Sequence, residues 1–194
     1  EPAGLRARWG CEGRRVLLAA SRLVPRKGFD RLIEALPAIR ARHPAALLLV
    51  AGDGPQRAEL EVMAIRAGGT EAVRFTGAVP PEAMPGFHAL AELFVLPNRE
   101  EPGEVDGLPM VLLEAGACGR PVVAGLAGGA TEAVADGVTG LLVDGRDPAA
   151  IAAAVLRLLD DAVLAAGFGA AAAERARRWG WEERTRAFLE AGGG

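Results

Sequence analysis

Six short apolar runs punctuate this chain, and an amphipathic segment follows almost every one. They are VLLAAS (16–21), ALLLVAG (46–52), VRFTG (73–77), LFVLP (93–97), PVVAG (121–125) and TGLLV (139–143). Most are apolar without polar alternation, which suits strands buried on both faces, as parallel sheets require. Between them, FDRLIEALPAIRARH (29–43) carries Phe29, Leu32, Ile33, Leu36 and Ile39 as a helical stripe, with Pro37 predicting a kink or an early end. QRAELEVMAIRAG, PEAMPGFHAL, MVLLEAGACG and ATEAVADG read as the other crossover helices, and the opening EPAGLRARWGCEGRR as the end of a linker or helix. From Pro148 the pattern is a helical tail (148–194) with breaks expected near Gly167–Gly169 and Gly180. The alternation predicts an α/β fold: a Rossmann-like, doubly wound parallel sheet of about six strands with helices on both faces. Its crossovers are expected to be right-handed.

At 194 residues the chain suits a single domain with a substantial core. A net charge of −3 supplies no basic field for DNA, RNA or anionic membrane, so no nucleic-acid partner is expected and a phosphate ligand would need a few local cations. Cys11 and Cys118 match no metal spacing, and His43 and His88 join no cluster, so no metal site is expected. No run approaches the roughly 18–20 apolar residues of a transmembrane helix, and no signal peptide is visible. A reducing, cytoplasmic setting is the expectation.

In doubly wound sheets ligands bind beyond the carboxyl ends of the strands, so the residues just after each strand matter most. SRLVPRKG follows the first run and groups Arg22, Arg26 and Lys27 before Gly28, where a helix should start. Cations beside a helix N-terminus suit a phosphate, although solvated loop charges are the plainer alternative. AGDGP (51–55) follows the second run and is either a close-approach loop or an ordinary turn. Neither G-x-G-x-x-G after the first strand nor G-x-x-x-x-G-K-[ST] occurs, which excludes the usual dinucleotide and P-loop fingerprints. After the LFVLP run comes EVDGLPMVLLEAGACG (104–119), with Asp106 in a loop, Gly107–Pro109 as a turn and a helix from Met110. Helix-start amides near 108–111 suit hydroxyls or phosphate. Glu114 is expected to be buried among apolar neighbours, held by ligand hydroxyls or else by a backbone amide or Arg120.

Taken in order, SRLVPRKG, VAGDGP, VRFTG, D-GLPMVLLEA-ACGRPVVAG and GG-TEAV-DGVTGLLV resemble one family: the C-terminal, donor-binding domain of retaining GT-B glycosyltransferases, glycosyltransferase group 1. The likeness runs from about Val16 to Asp144, with a weaker tail ending in WGWEE. It implies the C-terminal half of a GT-B fold and retaining, metal-independent hexosyl transfer from a nucleotide diphosphate sugar to an acceptor hydroxyl, without a cofactor. Arg22 and Lys27 would grip the diphosphate and steady the leaving group. Asp106 would contact the transferred sugar and Glu114 the ribose, as the two acids of an E-x7-E motif. Gly107, Leu108, Pro109, Met110 and Val111 would offer amides to sugar and phosphate, and the loop at Ala78 and Val79 would lie against the base.

The chain departs from the family pattern in one side chain, since the first acid is Asp rather than Glu. Spacing still selects Asp106 over Glu100, Glu101 and Glu104. The resemblance also implies a preceding acceptor-binding domain, the natural carrier of any peripheral attachment to the inner membrane face, without which this piece should bind donor but not turn over acceptor. GEVDG…LEA…PVVAG…GG is most similar to actinobacterial-type mannosyltransferases that use GDP-mannose and act on phosphatidylinositol mannosides, although related members with similar loops use UDP-sugars. Two rivals stand beside this reading: a nucleotide-sugar 2-epimerase on the same fold, and a non-catalytic sugar-nucleotide-binding module.

Overall fold

The structure, a computed structural model, describes residues 2–103 and 107–178 of the chain. In order, the elements are α1 (Pro2–Trp9), β1 (Arg15–Ala20), α2 (Phe29–Arg42), β2 (Ala46–Ala51), α3 (Arg57–Arg66), β3 (Val73–Gly77) and α4 (Met84–Leu90). There follow β4 (Leu93–Leu96), α5 (Met110–Ala117), β5 (Val122–Gly125), α6 (Ala130–Ala133), β6 (Gly140–Val143), α7 (Pro148–Asp160) and α8 (Ala162–Arg178). The six strands form one sheet in the order β3-β2-β1-β4-β5-β6, with every neighbouring pair parallel. The predicted Rossmann-like architecture is therefore present.

The unbroken apolar runs explain the core. Val16, Leu17 and Leu18 on β1, Leu47, Leu48 and Leu49 on β2, and Phe94 and Val95 on β4 are fully buried. Burying one such side chain contributes roughly 1.5–3 kcal/mol, so the central strands supply the main packing term. Helices cover them in groups: α2 packs on α3 and α7, α4 on α1, and α5 on α6 and α8. Among the described residues no helix is long and apolar enough to cross a membrane.

Two expectations about helix breaks are corrected. Pro37 does not end α2, which runs on to Arg42. It lies on the exposed side, while Leu32, Ile33, Leu36 and Ile39 pack into the core opposite, and that burial outweighs the roughly 3 kcal/mol cost of an interior proline. Nor do Gly167 and Gly169 break the tail: α8 passes through both. The break falls at Asp161, whose carboxylate accepts a 2.8 Å bond from the Leu164 amide. Glycine at 169 serves close packing, because a Cβ there would strike the Gly119 carbonyl at the end of α5. Gly180 and the WGWEE segment lie outside the described residues.

One core side chain is out of keeping with its surroundings. His88 on α4 is 1% exposed, its ring centroid 5.5 Å from that of Phe94, and neither ring nitrogen finds a partner among the described residues. Burial first, and then the Arg120 charge, lower its pKa to about 4. Because the folded value lies below the ordinary one, the unfolded chain binds more protons between them. Stability is thus full above about pH 6.5 and declines as pH falls toward 4, by at most about 3 kcal/mol from this group. His88→Leu should remove that increment: urea unfolding at pH 7 and pH 4.5 should show a smaller acid loss in the variant than in the parent.

Candidate functional site

The strand order reverses between β1 and β4, so the chain leaves these neighbouring strands toward opposite sides and a crevice opens at their carboxyl ends. A cleft of about 270 Å³ occupies this edge, lined by Arg22, Asp53, Ala78, Val79, Val111 and Glu114 among others. Five residues singled out from the sequence (Arg22, Ala78, Val79, Val111 and Glu114) thus meet at one place. Two larger hollows, of about 460 and 540 Å³, lie against Phe75 and Phe87 and contain none of the predicted site residues.

The loop after β1 is stitched to the turn after β2. The Leu23 amide donates to the Asp53 carbonyl at 2.9 Å, and the Gln56 amide to the Leu23 carbonyl at 3.1 Å. Arg22 projects from this loop as an exposed residue. A single 3-10 turn, Pro25–Lys27, then leads to Gly28. Gly28 has φ 71°, and a Cβ there would strike the Pro97 carbonyl, so only glycine suits both the turn and the close approach to the end of β4. Lys27 is 8% exposed, the only charged residue among the described residues to be classed as buried, and it is not part of the cleft lining.

Further along the chain, α5 begins at Met110 with Pro109 at its cap and no side-chain cap bond. The amides of Met110 and Val111 therefore lack intrahelical acceptors. Gly107 is exposed, Leu108 packs against the core, Pro109 is buried and Met110 is 55% exposed. None of these four lines the cleft, whereas Val111 does. Asp106 lies outside the described residues.

Glu114 departs from expectation. It is exposed rather than buried, because the α5 face carrying it turns to the cleft while Leu112, Leu113 and Ala115 face inward. Arg120 is not its partner: that guanidinium donates to the carbonyls of Cys118 and Ala91 at 3.1 and 2.8 Å. The carboxylate is left facing the cleft, where ligand hydroxyls can reach it. Neither cysteine suits nucleophilic work, since burial raises both thiol pKa values. His43 is held by Asp160 at 2.8 Å and approached by Arg15 at 3.0 Å, well away from the cleft lining.

Sequence reasoning missed the residues that fix the loop leaving β4. Asn98 is fully buried, donates to the Ala127 carbonyl at 2.9 Å and accepts from the Gly125 amide at 3.2 Å, tying β4 to the end of β5. Arg99 donates from its backbone to the Arg26 carbonyl at 2.8 Å and from its side chain to Asp30 at 2.7 and 3.0 Å and Glu101 at 2.6 Å. Burial opposes its charge, but the Asp30 and Glu101 carboxylates outweigh that and raise its pKa further. These partners are distant in sequence and leave no periodic trace.

A three-plus-three parallel sheet with a cleft at its switch point defines the class of Rossmann-like α/β domains. Within that class, the chain belongs to the family described as glycosyl transferases group 1, whose model matches residues 5–175. It is 47% identical over 189 residues to the GDP-mannose-dependent alpha-(1-6)-phosphatidylinositol monomannoside mannosyltransferase of Mycolicibacterium smegmatis, covering 95% of this chain and 48% of that protein. It is 41% identical over 170 residues to the GDP-mannose-dependent monoacylated alpha-(1-6)-phosphatidylinositol monomannoside mannosyltransferase of Corynebacterium glutamicum, covering 86% and 44%. Its fold matches that of Anabaena Alr3699/HepE in complex with UDP, with a TM-score of 0.85, 27% identity, and 98% and 52% of the two chains covered. The chain spans about half the length of the curated relatives it matches.

The Asn98 amide predicts a clear cost. Asn98→Ala leaves the Gly125 amide without this partner in a dry setting, at about 1–3 kcal/mol, while the Ala127 carbonyl keeps its 3.2 Å bond from the Ala130 amide. Thermal or urea unfolding should register a loss of that order, whereas alanine at the exposed Glu114 should change stability by less than about 0.5 kcal/mol.

Proposed function

We propose that this chain is the donor-binding part of a retaining, metal-independent hexosyltransferase, and that its donor is GDP-mannose. The observation that carries the donor-site reading is the convergence of Arg22, Val79, Val111 and Glu114 on one cleft at the switch point. The choice of GDP-mannose draws on the two GDP-mannose-dependent relatives, against which the UDP complex of the structural neighbour keeps a UDP-hexose as the alternative. Acceptor recognition is assigned to an N-terminal domain, as is any association with the inner membrane face.

In this mechanism Arg22 and Lys27 offset the charge that grows on the departing diphosphate as the sugar C1–oxygen bond breaks. These two cations supply that stabilisation without a metal ion. The acceptor oxygen forms the new bond to C1 on the face the diphosphate leaves, and its proton passes to the leaving phosphate oxygen, so the configuration is retained. Glu114 accepts from the ribose hydroxyls, the apolar side chain of Val79 lies beside the base, and the α5 amides with Asp106 hold the sugar. Closure of two lobes over the donor keeps water from the reacting centre. By itself this piece binds donor and does not transfer it.

Isothermal titration of the chain with GDP and UDP tests the reading. Binding of GDP in preference to UDP is expected; a preference for UDP overturns the GDP assignment, and no binding to either by folded protein sinks the donor site altogether. Lys27→Ala should weaken GDP by more than about tenfold and guanosine far less, each charge-assisted bond being worth roughly 1.5–3 kcal/mol. Glu114→Gln should instead narrow the gap between GDP and its 2′,3′-dideoxy analogue. An unchanged gap removes Glu114 from the ribose.

A further inference from the structure

We propose that Arg99 and Asp30 form a positioning clasp for the donor cleft, holding the Arg22–Lys27 loop in register with the loop that leaves β4. The inference rests on the donor-site reading and extends it to two residues that do not line the cleft.

The geometry is that of a charge-assisted fork. One Arg99 guanidinium nitrogen donates to both Asp30 carboxylate oxygens, at 2.7 and 3.0 Å, and the ε nitrogen donates to Glu101 at 2.6 Å. The two side chains are 9% and 13% exposed, so water competes little for the pair. Arg99 also reaches the cationic loop through its backbone, whose amide donates to the Arg26 carbonyl at 2.8 Å. Asp30 stands in the first turn of α2, which starts at Phe29 directly after Lys27 and Gly28. One residue of the β4 exit loop therefore fixes both the last turn of the cationic loop and the helix that follows it.

The placement has an electrostatic consequence beyond holding the chain. A carboxylate in the first turn of α2 opposes an anion bound near the same end, and Arg99 offsets it across the fork, with the exposed Arg31 standing 3.5 Å away as a weaker partner. Removing Arg99 would both loosen the loop bearing Lys27 and leave Asp30 repelling the diphosphate. The loss should fall on the phosphates of a ligand and spare its nucleoside.

The test is titration of the 194-residue chain and its variants with GDP by calorimetry and with guanosine by ligand-detected NMR, each variant checked for folding by circular dichroism. Arg99→Ala should weaken GDP by about tenfold or more while changing guanosine less than about twofold. Arg99→Lys, which keeps the charge but not the fork, should fall between the two. Asp30→Asn combined with Arg99→Gln should cost less than the product of the single changes, because each residue acts through the other. Should Arg99→Ala fail to fold, Arg99→Gln carries the same comparison. A variant that binds GDP as the parent does, or that loses GDP and guanosine equally, overturns the clasp while leaving the donor site standing. A parent that binds neither GDP nor UDP removes the donor site, and the clasp with it.

Discussion

The reversal of strand order between β1 and β4 is the constraint on which the rest depends. Two halves grow outward from that pair, so their connections diverge and a crevice must form at the carboxyl ends. The pairing there is short, with only Leu17–Leu93 and Leu18–Phe94 in register, whereas β1 and β2 pair along six residues. The crevice is thus set where the sheet is least tied by its own ladder. Side-chain and turn bonds complete the join: Asn98 to the β5 end, Arg99 to the loop after β1, and Leu23 to the turn after β2.

The fold was legible because its determinants are local and periodic. Six apolar runs became six strands with boundaries shifted by a residue or so, since a buried parallel strand has to be apolar on both faces. Where local rules misled, packing had overridden them. Pro37 costs a helix a hydrogen bond, yet the stripe opposite it is worth more; Gly167 and Gly169 are poor helix formers, yet α8 needs a small residue against Gly119.

The site was legible in part, for a similar reason. Arg22 and Val79 each follow a strand end and Glu114 lies in the helix after β4, and strand order brings the three to one cleft. The exposure of Glu114 was not readable, since its apolar neighbours in sequence point to the other side of α5. The Arg99–Asp30 fork was invisible too. It joins residues 69 apart, with neither partner in an apolar pattern, so nothing short of the fold could pair them.

Burial divides the proposed donor grip into parts of different mechanical character. Lys27 is buried, its turn closed by glycine at 28 and fastened through Arg26 to the β4 exit. Arg22 and Glu114, by contrast, are exposed residues of the cleft lining. A charge that must stabilise a leaving diphosphate gains from being fixed in advance, because reorganisation then costs nothing at the moment of bond breaking. A carboxylate that only accepts from ribose hydroxyls needs no such rigidity. In the proposed grip the fastening accordingly lies at Lys27, while Arg22 and Glu114 each act through a single exposed side chain.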